Sequence, residues 1–289
     1  MANYVLFTDS TTDLTPALVE ELDVRVIPMT FNLDGTDYKN YPDNRELASH
    51  DFYEALRSGS MSTTSQINQA AFADAFTPIL EEGKDILYLG FSSGLSGTFH
   101  SAILAAEDLA EQFPERTIRV ADTLMASMGE GLSVYYAAKR KAEGASLEEL
   151  ADWFEQNKMQ ISAWFTVNDL MFLKRGGRLS GAAAVAGTLL GIKPVLHVDD
   201  EGHLIPMEKV RGRKSSLDAL VKHIKSSSIP LSDQVIFVSH GDCPEDAEYV
   251  ANAIRALGAA RVEVGFIGPV IGAHSGPGTV AVFFLDSKR

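Results

Sequence analysis

Three apolar runs that read as buried parallel strands each end in small polar residues, and this repeat constrains the fold more than any other feature of the chain. Val5, Leu6 and Phe7 run into Thr8, Asp9 and Ser10. Residues 86–89 run into a segment, 92–98, that reads Ser-Ser-Gly-Leu-Ser-Gly-Thr. Residues 118–120 run into Asp122 and Thr123. Between and after these strands the apolar spacing predicts helices over 16–22, 44–57, 70–80, 98–112 and 129–141, the first opened by Thr15 as cap and Pro16 at its first position. Repeated βα units with short connections specify a parallel, doubly wound sheet. Ligands of such sheets bind outside the carboxyl ends of the strands. Hydroxyls gathered there therefore predict a holder for an anionic or polar head group.

A helix over 146–158 leads into a second half with a different rhythm. Strands are expected at 161–167, 194–198, 204–210, 235–239, 262–267 and 280–285, and helices at 182–190, 215–225 and 244–257. The turn Asp199-Asp200-Glu201-Gly202 makes the middle pair an antiparallel hairpin. Residues 24–33 read as one strand closed by Asp34-Gly35, and 62–66 as a polar loop. A chain of 289 residues exceeds the usual single core. The expected architecture is a parallel α/β domain over 1–160 and an α+β domain with a mixed sheet over 161–289, with a pocket between them.

Charge narrows the partners. With 25 Lys+Arg against 39 Asp+Glu the net charge is −14, a field that opposes nucleic acid and anionic membrane surfaces. The lone Cys243 excludes an intramolecular disulfide and fits a reducing compartment. The first residues lack a basic, cleavable leader, and the longest uncharged stretch, 179–192, is too short to cross a bilayer. A cytoplasmic protein is expected, not an integral membrane one, with transient membrane contact left open.

Familiar catalytic signatures are missing: no phosphate-binding P-loop, His-Glu-x-x-His, nucleophile elbow or Cys-x-x-Cys. Gly129-Glu130-Gly131 lacks the third glycine of a dinucleotide fingerprint and reads as helix packing. The 92–98 turn either binds an anion at a helix N-terminus or only caps that helix, and both readings stand. Thr64 and Ser65 supply further hydroxyls. Lys174, Arg175 and Arg178 surround Gly176-Gly177, and Lys209, Arg211, Arg213 and Lys214 form a second basic cluster, which suggests a phosphate or an acidic partner. His274 sits in 272–279, a segment so rich in glycine and proline that it reads as an unusual turn before the last strand.

In order along the chain, Thr8-Asp9-Ser10-Thr11-Thr12-Asp13-Leu14, Thr64-Ser65-Gln66, the 92–98 turn, Asp122-Thr123, Arg175-Gly176-Gly177-Arg178, Gly191-Ile192-Lys193-Pro194, Gly202-His203-Leu204-Ile205-Pro206 and the 272–279 segment resemble the DegV family of bacterial fatty-acid-binding proteins. The resemblance covers essentially the whole chain. It implies a carrier that buries one long-chain fatty acid and presents its carboxylate to a separate ATP-dependent kinase, the acyl phosphate then entering phospholipid synthesis. It implies no catalytic site, no metal and no cofactor beyond the bound fatty acid. The carboxylate-binding residues it implies are Thr64, Ser93 (with Ser92 as a close rival) and His274, and Arg178 and Arg211 match residues that engage the kinase. One departure is Ile67-Asn68, where a proline is common. The competing expectation is a phosphotransfer enzyme or subunit like the dihydroxyacetone kinases, with His274 holding the substrate. Phosphoryl transfer needs neutralised phosphate charge, and the missing ATP loop and metal carboxylates speak against it.

Overall fold

In the computed structural model, which describes residues 3–179 and 191–289, the two halves build separate sheets. Strands β1 (Tyr4–Asp9), β2 (Val24–Ile27), β6 (Asp85–Gly90) and β7 (Ile118–Asp122) form an all-parallel sheet in the order β2-β1-β6-β7. Alternation along these strands decides which helices each face receives. Phe7, Ile86 and Tyr88 point to α3 (Gln69–Glu81) and α4 (Thr98–Gln112). Leu6, Leu87 and Leu89 point the other way, to α1 (Pro16–Leu22), α5 (Met128–Ala142) and α6 (Leu147–Asn157).

The second sheet is mixed, in the order β10-β9-β8-β13-β11-β12. Its strands are β8 (Ile161–Thr166), β9 (Ile192–Val198), β10 (Leu204–Arg211), β11 (Val235–His240), β12 (Arg261–Phe266) and β13 (Val280–Leu285). Strands β9 and β10 pair antiparallel, as the turn between them requires. Helices α8 (Arg213–Lys225) and α9 (Pro244–Ala256) cover one face through a core that includes Leu220, Ile254 and Val282. The expected helix at 182–190 lies outside the described residues.

Helix α5 covers the opposite face of the mixed sheet and also packs on the parallel one, because Leu132 shares one core with Leu6, Leu87, Phe237 and Phe283. A helix squeezed between two sheets is buried all round, and α5 accordingly buries Glu130 and Ser133 with its apolar residues. Gly129 and Gly131 permit the approach. A Cβ at Gly129 would lie 2.7 Å from Phe283, and one at Gly131 would lie 2.8 Å from the Thr12 carbonyl. The Gly-Glu-Gly sequence is a packing surface.

Sequence expectation and structure part at four places, the first being the helix expected over 44–57, which begins only at Ser49. Residues 24–33 are two strands in different sheets: β2 in the parallel sheet, and β3 (Thr30–Leu33) between β4 (Thr36–Lys39) and β5 (Ser62–Ser65) in a small antiparallel sheet. The 62–66 loop is thus largely a strand, because its residues pair with β3. The 272–279 turn is in large part a helix, α10 (Pro269–Ser275), preceded by Gly268 and opened by Pro269 at its first position. A short helix, α7 (Met171–Arg175), carries Lys174 and Arg175 of the first basic cluster, and Arg178 follows the turn after it. Helix α10 packs on β3, on β5 and on α2 (Ser49–Arg57), so the last part of the chain docks against the small sheet of the first.

Candidate functional site

Where the two large sheets and α10 meet there is a cavity of about 450 Å³. Phe165, Val198, Ala281 and Phe283 reach it from the mixed sheet, Phe91 from just beyond β6, and Val270 from α10. It therefore lies at the carboxyl edge of the parallel sheet, where such folds place ligands. Its polar residues include Thr64, Gln66, Ser96, Arg178 and His274.

These side chains converge because separate elements are tied together. Thr64 sits on β5 opposite Phe31, and His274 on the last turn of α10. Thr64 Oγ1 and His274 Nε2 are 2.9 Å apart, joining residues 210 positions distant in sequence. The 96–98 loop is fixed beside them. Ser96 Oγ accepts from Thr98 N at 3.2 Å, and Thr98 Oγ1 accepts from Ile67 N at 3.3 Å. Gly97 lets Gln66 lie against the loop, since a Cβ there would meet Gln66 Oε1 at 2.3 Å. Helix α4 starts at this point with Gly97 as its cap, which has no side chain to accept from the first turn, so its amide end faces the same region.

Burial, and after it the Arg178 guanidinium, lowers the His274 pKa to about 4, so the ring is neutral near pH 7. Among the described residues, its buried Nδ1 has no hydrogen-bond partner, and the same is true of Ser275 Oγ. Arg178 is itself half-buried, and desolvation lowers its pKa. Its Nε donates to the Leu95 carbonyl at 3.1 Å and Nη1 donates to the Gly176 carbonyl.

The structure brings together Thr64, His274 and Arg178, and leaves Ser92, Ser93 and Arg211 elsewhere. Ser92 is fully buried, and its hydroxyl donates to the Gly202 carbonyl at 2.9 Å while accepting from Gly94 N. It struts the loop against the β9–β10 turn. The Ser93 residue is exposed, with its amide on the Asp122 carboxylate at 3.2 Å, and it is not among the cavity residues. The hydroxyl of this turn that reaches the cavity is that of Ser96, three positions on; a βα turn is too tight for sequence alone to say which serine faces inward. Arg211 is exposed at the end of β10, away from the cavity.

The hydroxyls after β1, expected as part of the site, are spent inside the protein. Thr8 Oγ1 donates to the Leu89 carbonyl at 2.8 Å, and Ser10 Oγ accepts from Met29 N at 2.9 Å. Thr11 Oγ1 lies 2.5 Å from Asp9 Oδ1 and 2.6 Å from Glu130 Oε2. One hydroxyl has one proton to give, so one of these carboxyls must be protonated. Burial raises both, and Glu130 far above its ordinary range. Outside the cavity, among the described residues, His50, Glu54 and Asp242 approach one another, but Arg57 Nη1 contacts both carboxylates and holds the place a cation would take. Burial pushes the Cys243 thiol up to about 12, which removes it as a nucleophile. No helix among the described residues is long and apolar enough to cross a membrane.

Residues 3–287 match the sequence profile of the family described as uncharacterised protein, DegV family. A DegV domain-containing protein of Clostridium perfringens is 44% identical over 290 residues, covering 100% of this chain and 99% of that one. Among solved structures, a DegV family protein of Thermus thermophilus described for its fatty acid binding superposes with a TM-score of 0.87 at 33% identity, over 98% of this chain and 99% of that one. DegV of Bacillus subtilis, described as a fatty acid binding protein, superposes at 0.86 with 27% identity, over 99% and 100%. An α/β chain with a largely apolar cavity at the edge of its parallel sheet belongs to the class of small-ligand-binding folds. This chain is a member of the DegV family.

Proposed function

We propose that the protein binds one long-chain fatty acid in the cavity and presents its carboxylate to a separate ATP-dependent kinase. The observation that carries the reading is the Thr64–His274 pair in a largely apolar cavity. Each buried methylene is worth about 0.8 kcal/mol, so a sixteen-carbon tail gains roughly 12 kcal/mol before the costs of ordering. The tail supplies the affinity, and the head group needs only donors. Thr64 and Ser96 offer hydroxyls, His274 fixes the Thr64 hydroxyl, and the amide end of α4 adds a favourable field. Ser96 takes the role expected of Ser93.

Neutral hydroxyls satisfy a carboxylate without sequestering both its oxygens, which leaves one open to phosphorylation. Arg211, exposed and basic on an acidic protein, is the candidate contact for the kinase or the phosphate. In this reading residues 1–160 and 161–289 act as two domains with the acyl chain between them, in the cytoplasm, and the chain itself performs no catalysis. The test is mass spectrometry of solvent extracts from purified, denatured protein. Near-stoichiometric fatty acid is expected. Its absence, together with no uptake of added palmitate, would sink the reading in favour of a phosphotransfer role for His274.

A further inference from the structure

The His274 ring rests directly on protein backbone. Gly176 ends α7, its N–H bonded to the Phe172 carbonyl at 3.0 Å. A Cβ at Gly176 would lie 2.1 Å from His274 Nδ1 and 3.1 Å from both Cε1 and Cγ. Real Cβ atoms do not come that close, so only glycine allows the ring its position. Helix α7 meets the end of α10 a second time at Gly276, where a Cβ would strike the Phe172 ring at 2.5 Å. The turn that follows Gly176 is anchored across the cavity wall by Arg178, whose guanidinium bridges the Gly176 and Leu95 carbonyls. Leu95 immediately precedes Ser96.

We infer that Gly176 and Arg178 position the head-group site, Gly176 backing the His274 ring so that Nε2 faces Thr64 and Arg178 locking the Gly176 carbonyl to the loop that carries Ser96. The inference rests on the fatty-acid reading above and assigns to these two residues a role within it. It also fixes a tautomer. A proton on Nδ1 would be a buried donor without an acceptor, which is costly. The proton of the neutral ring therefore sits on Nε2 and is donated to Thr64 Oγ1, and the Thr64 O–H is left free to donate to the ligand. Arg178 acts here through its fork of donors and not through charge alone, which separates it from Lys.

The experiment uses the full chain in four forms: wild type, Gly176→Ala, Gly177→Asn and Arg178→Lys. Each is titrated with palmitate, and the His274 imidazole nitrogens are followed by NMR. Gly177 has a left-handed φ of 71°, and a Cβ there would meet none of the described residues within 4 Å, so Asn tests damage to the turn without touching the ring. Gly176→Ala should weaken palmitate binding at least about tenfold and shift the His274 nitrogen signals away from the Nε2–H form. Arg178→Lys should also lose about tenfold despite keeping its charge, whereas Gly177→Asn stays within about twofold. Wild-type affinity and unchanged imidazole signals in Gly176→Ala would overturn the inference. Full affinity in Arg178→Lys would do so for the lock, and that variant carries the test if Gly176→Ala does not fold. A wild type that takes up no palmitate defeats the fatty-acid reading, while the imidazole signals still test the placement of His274.

Discussion

Two polar clusters end strands of this protein, and in sequence they look alike. The first, after β1, gathers Thr8, Asp9, Thr11 and Glu130 with the Tyr88 hydroxyl. The second gathers Thr64, Ser96 and His274. In the first, the polar groups answer one another: the Asp9 carboxylate alone accepts from Thr11 N, Thr11 Oγ1, Tyr88 Oη and Phe91 N. The second is incomplete. Of the four buried side-chain atoms without a partner among the described residues, the Ser275 hydroxyl belongs to a cavity residue and is free to donate, whereas His274 Nδ1 is closed off by Gly176. Buried polar groups are almost always paired, so an unfilled cluster beside a cavity points to a missing ligand and a filled one to a structural knot. Polar residues at a strand end announce neither until their partners are counted.

The largest effect expected from breaking this contrast is on stability. Asp9→Ala strips Thr11 N, Tyr88 Oη and Phe91 N of their acceptor in a fully buried place, while Thr11 Oγ1 keeps Glu130, and each unsatisfied donor costs about 1–3 kcal/mol. We expect a loss on the order of 4 kcal/mol in urea unfolding, or no folded protein at all. Whatever folds should bind palmitate with near wild-type affinity. Impaired binding at full stability would make the knot part of the site.

The reverse pattern is expected at the cavity. Thr64→Ala combined with Ser96→Ala removes two hydroxyls that face a charged group, each bond being worth about 1.5–3 kcal/mol, so palmitate affinity should fall on the order of 100-fold. Unfolding of the ligand-free protein should change by no more than about 2 kcal/mol, the cost of the bonds that Thr64 makes to His274 Nε2 and Ser96 makes to the Thr98 amide at the cavity edge. Isothermal titration and urea unfolding on the same sample separate the two quantities. An unaltered affinity would remove these residues from the head-group site.

A smaller effect joins the two regions. Asp13, beside the knot, accepts from Ser127 Oγ and from Gly268 N at 2.9 Å, and Ser127 also lines the cavity. Burial raises the Asp13 pKa from an ordinary 3.8 to about 7. The folded state therefore holds a proton that the unfolded chain has released, and stability attributable to Asp13 falls as pH rises from about 4 to about 7. Below that window both states are protonated, and above it the loss is complete. Asp13→Asn should flatten this part of the stability–pH curve, measured by unfolding at about pH 4.5 and about pH 7.5. An unchanged slope would assign the dependence to other groups.

How much of this is legible in sequence follows from the range of the interactions involved. The parallel sheet and its helices rest on local periodicity, and most strands of the mixed sheet are readable for the same reason. The small sheet is not. The Ser62–Ser65 strand has no apolar residue to mark it, and it is a strand only because β3 offers it a partner about thirty residues away. Helix α10 is hidden by Gly272 within it and Gly268 and Gly276 on either side, which weaken helix propensity but allow the close approach of Phe52 and Tyr53 at Gly272 and of Phe172 at Gly276. Thr64 and His274 can be named one by one, yet no spacing rule joins positions so far apart. Gly176 looks like an ordinary turn residue in sequence, since its role depends on a ring delivered by another helix.

The sharpest test of the contrast is also its smallest effect, within the single turn 92–98. Three serines there meet three different surroundings: Ser92 bonded inside, Ser93 exposed, Ser96 at the cavity. Ser92→Ala removes a buried bond to the Gly202 carbonyl and leaves Gly94 N without its acceptor, so about 1–2 kcal/mol of stability should be lost. Ser96→Ala should reduce palmitate affinity and cost about 1 kcal/mol of stability through the Thr98 amide it leaves without an acceptor. Ser93→Ala should do neither, staying within about 0.5 kcal/mol in unfolding because a surface hydroxyl away from any network contributes little, and within about twofold in binding. If Ser93→Ala alone weakened palmitate binding, the turn would have to rotate on loading to bring that hydroxyl inward. The hydrogen bond from Ser92 to the β9–β10 turn would then be the contact that gives way, and the double variant Ser92→Ala/Ser93→Ala would show it as a binding loss different from the sum of the two single losses.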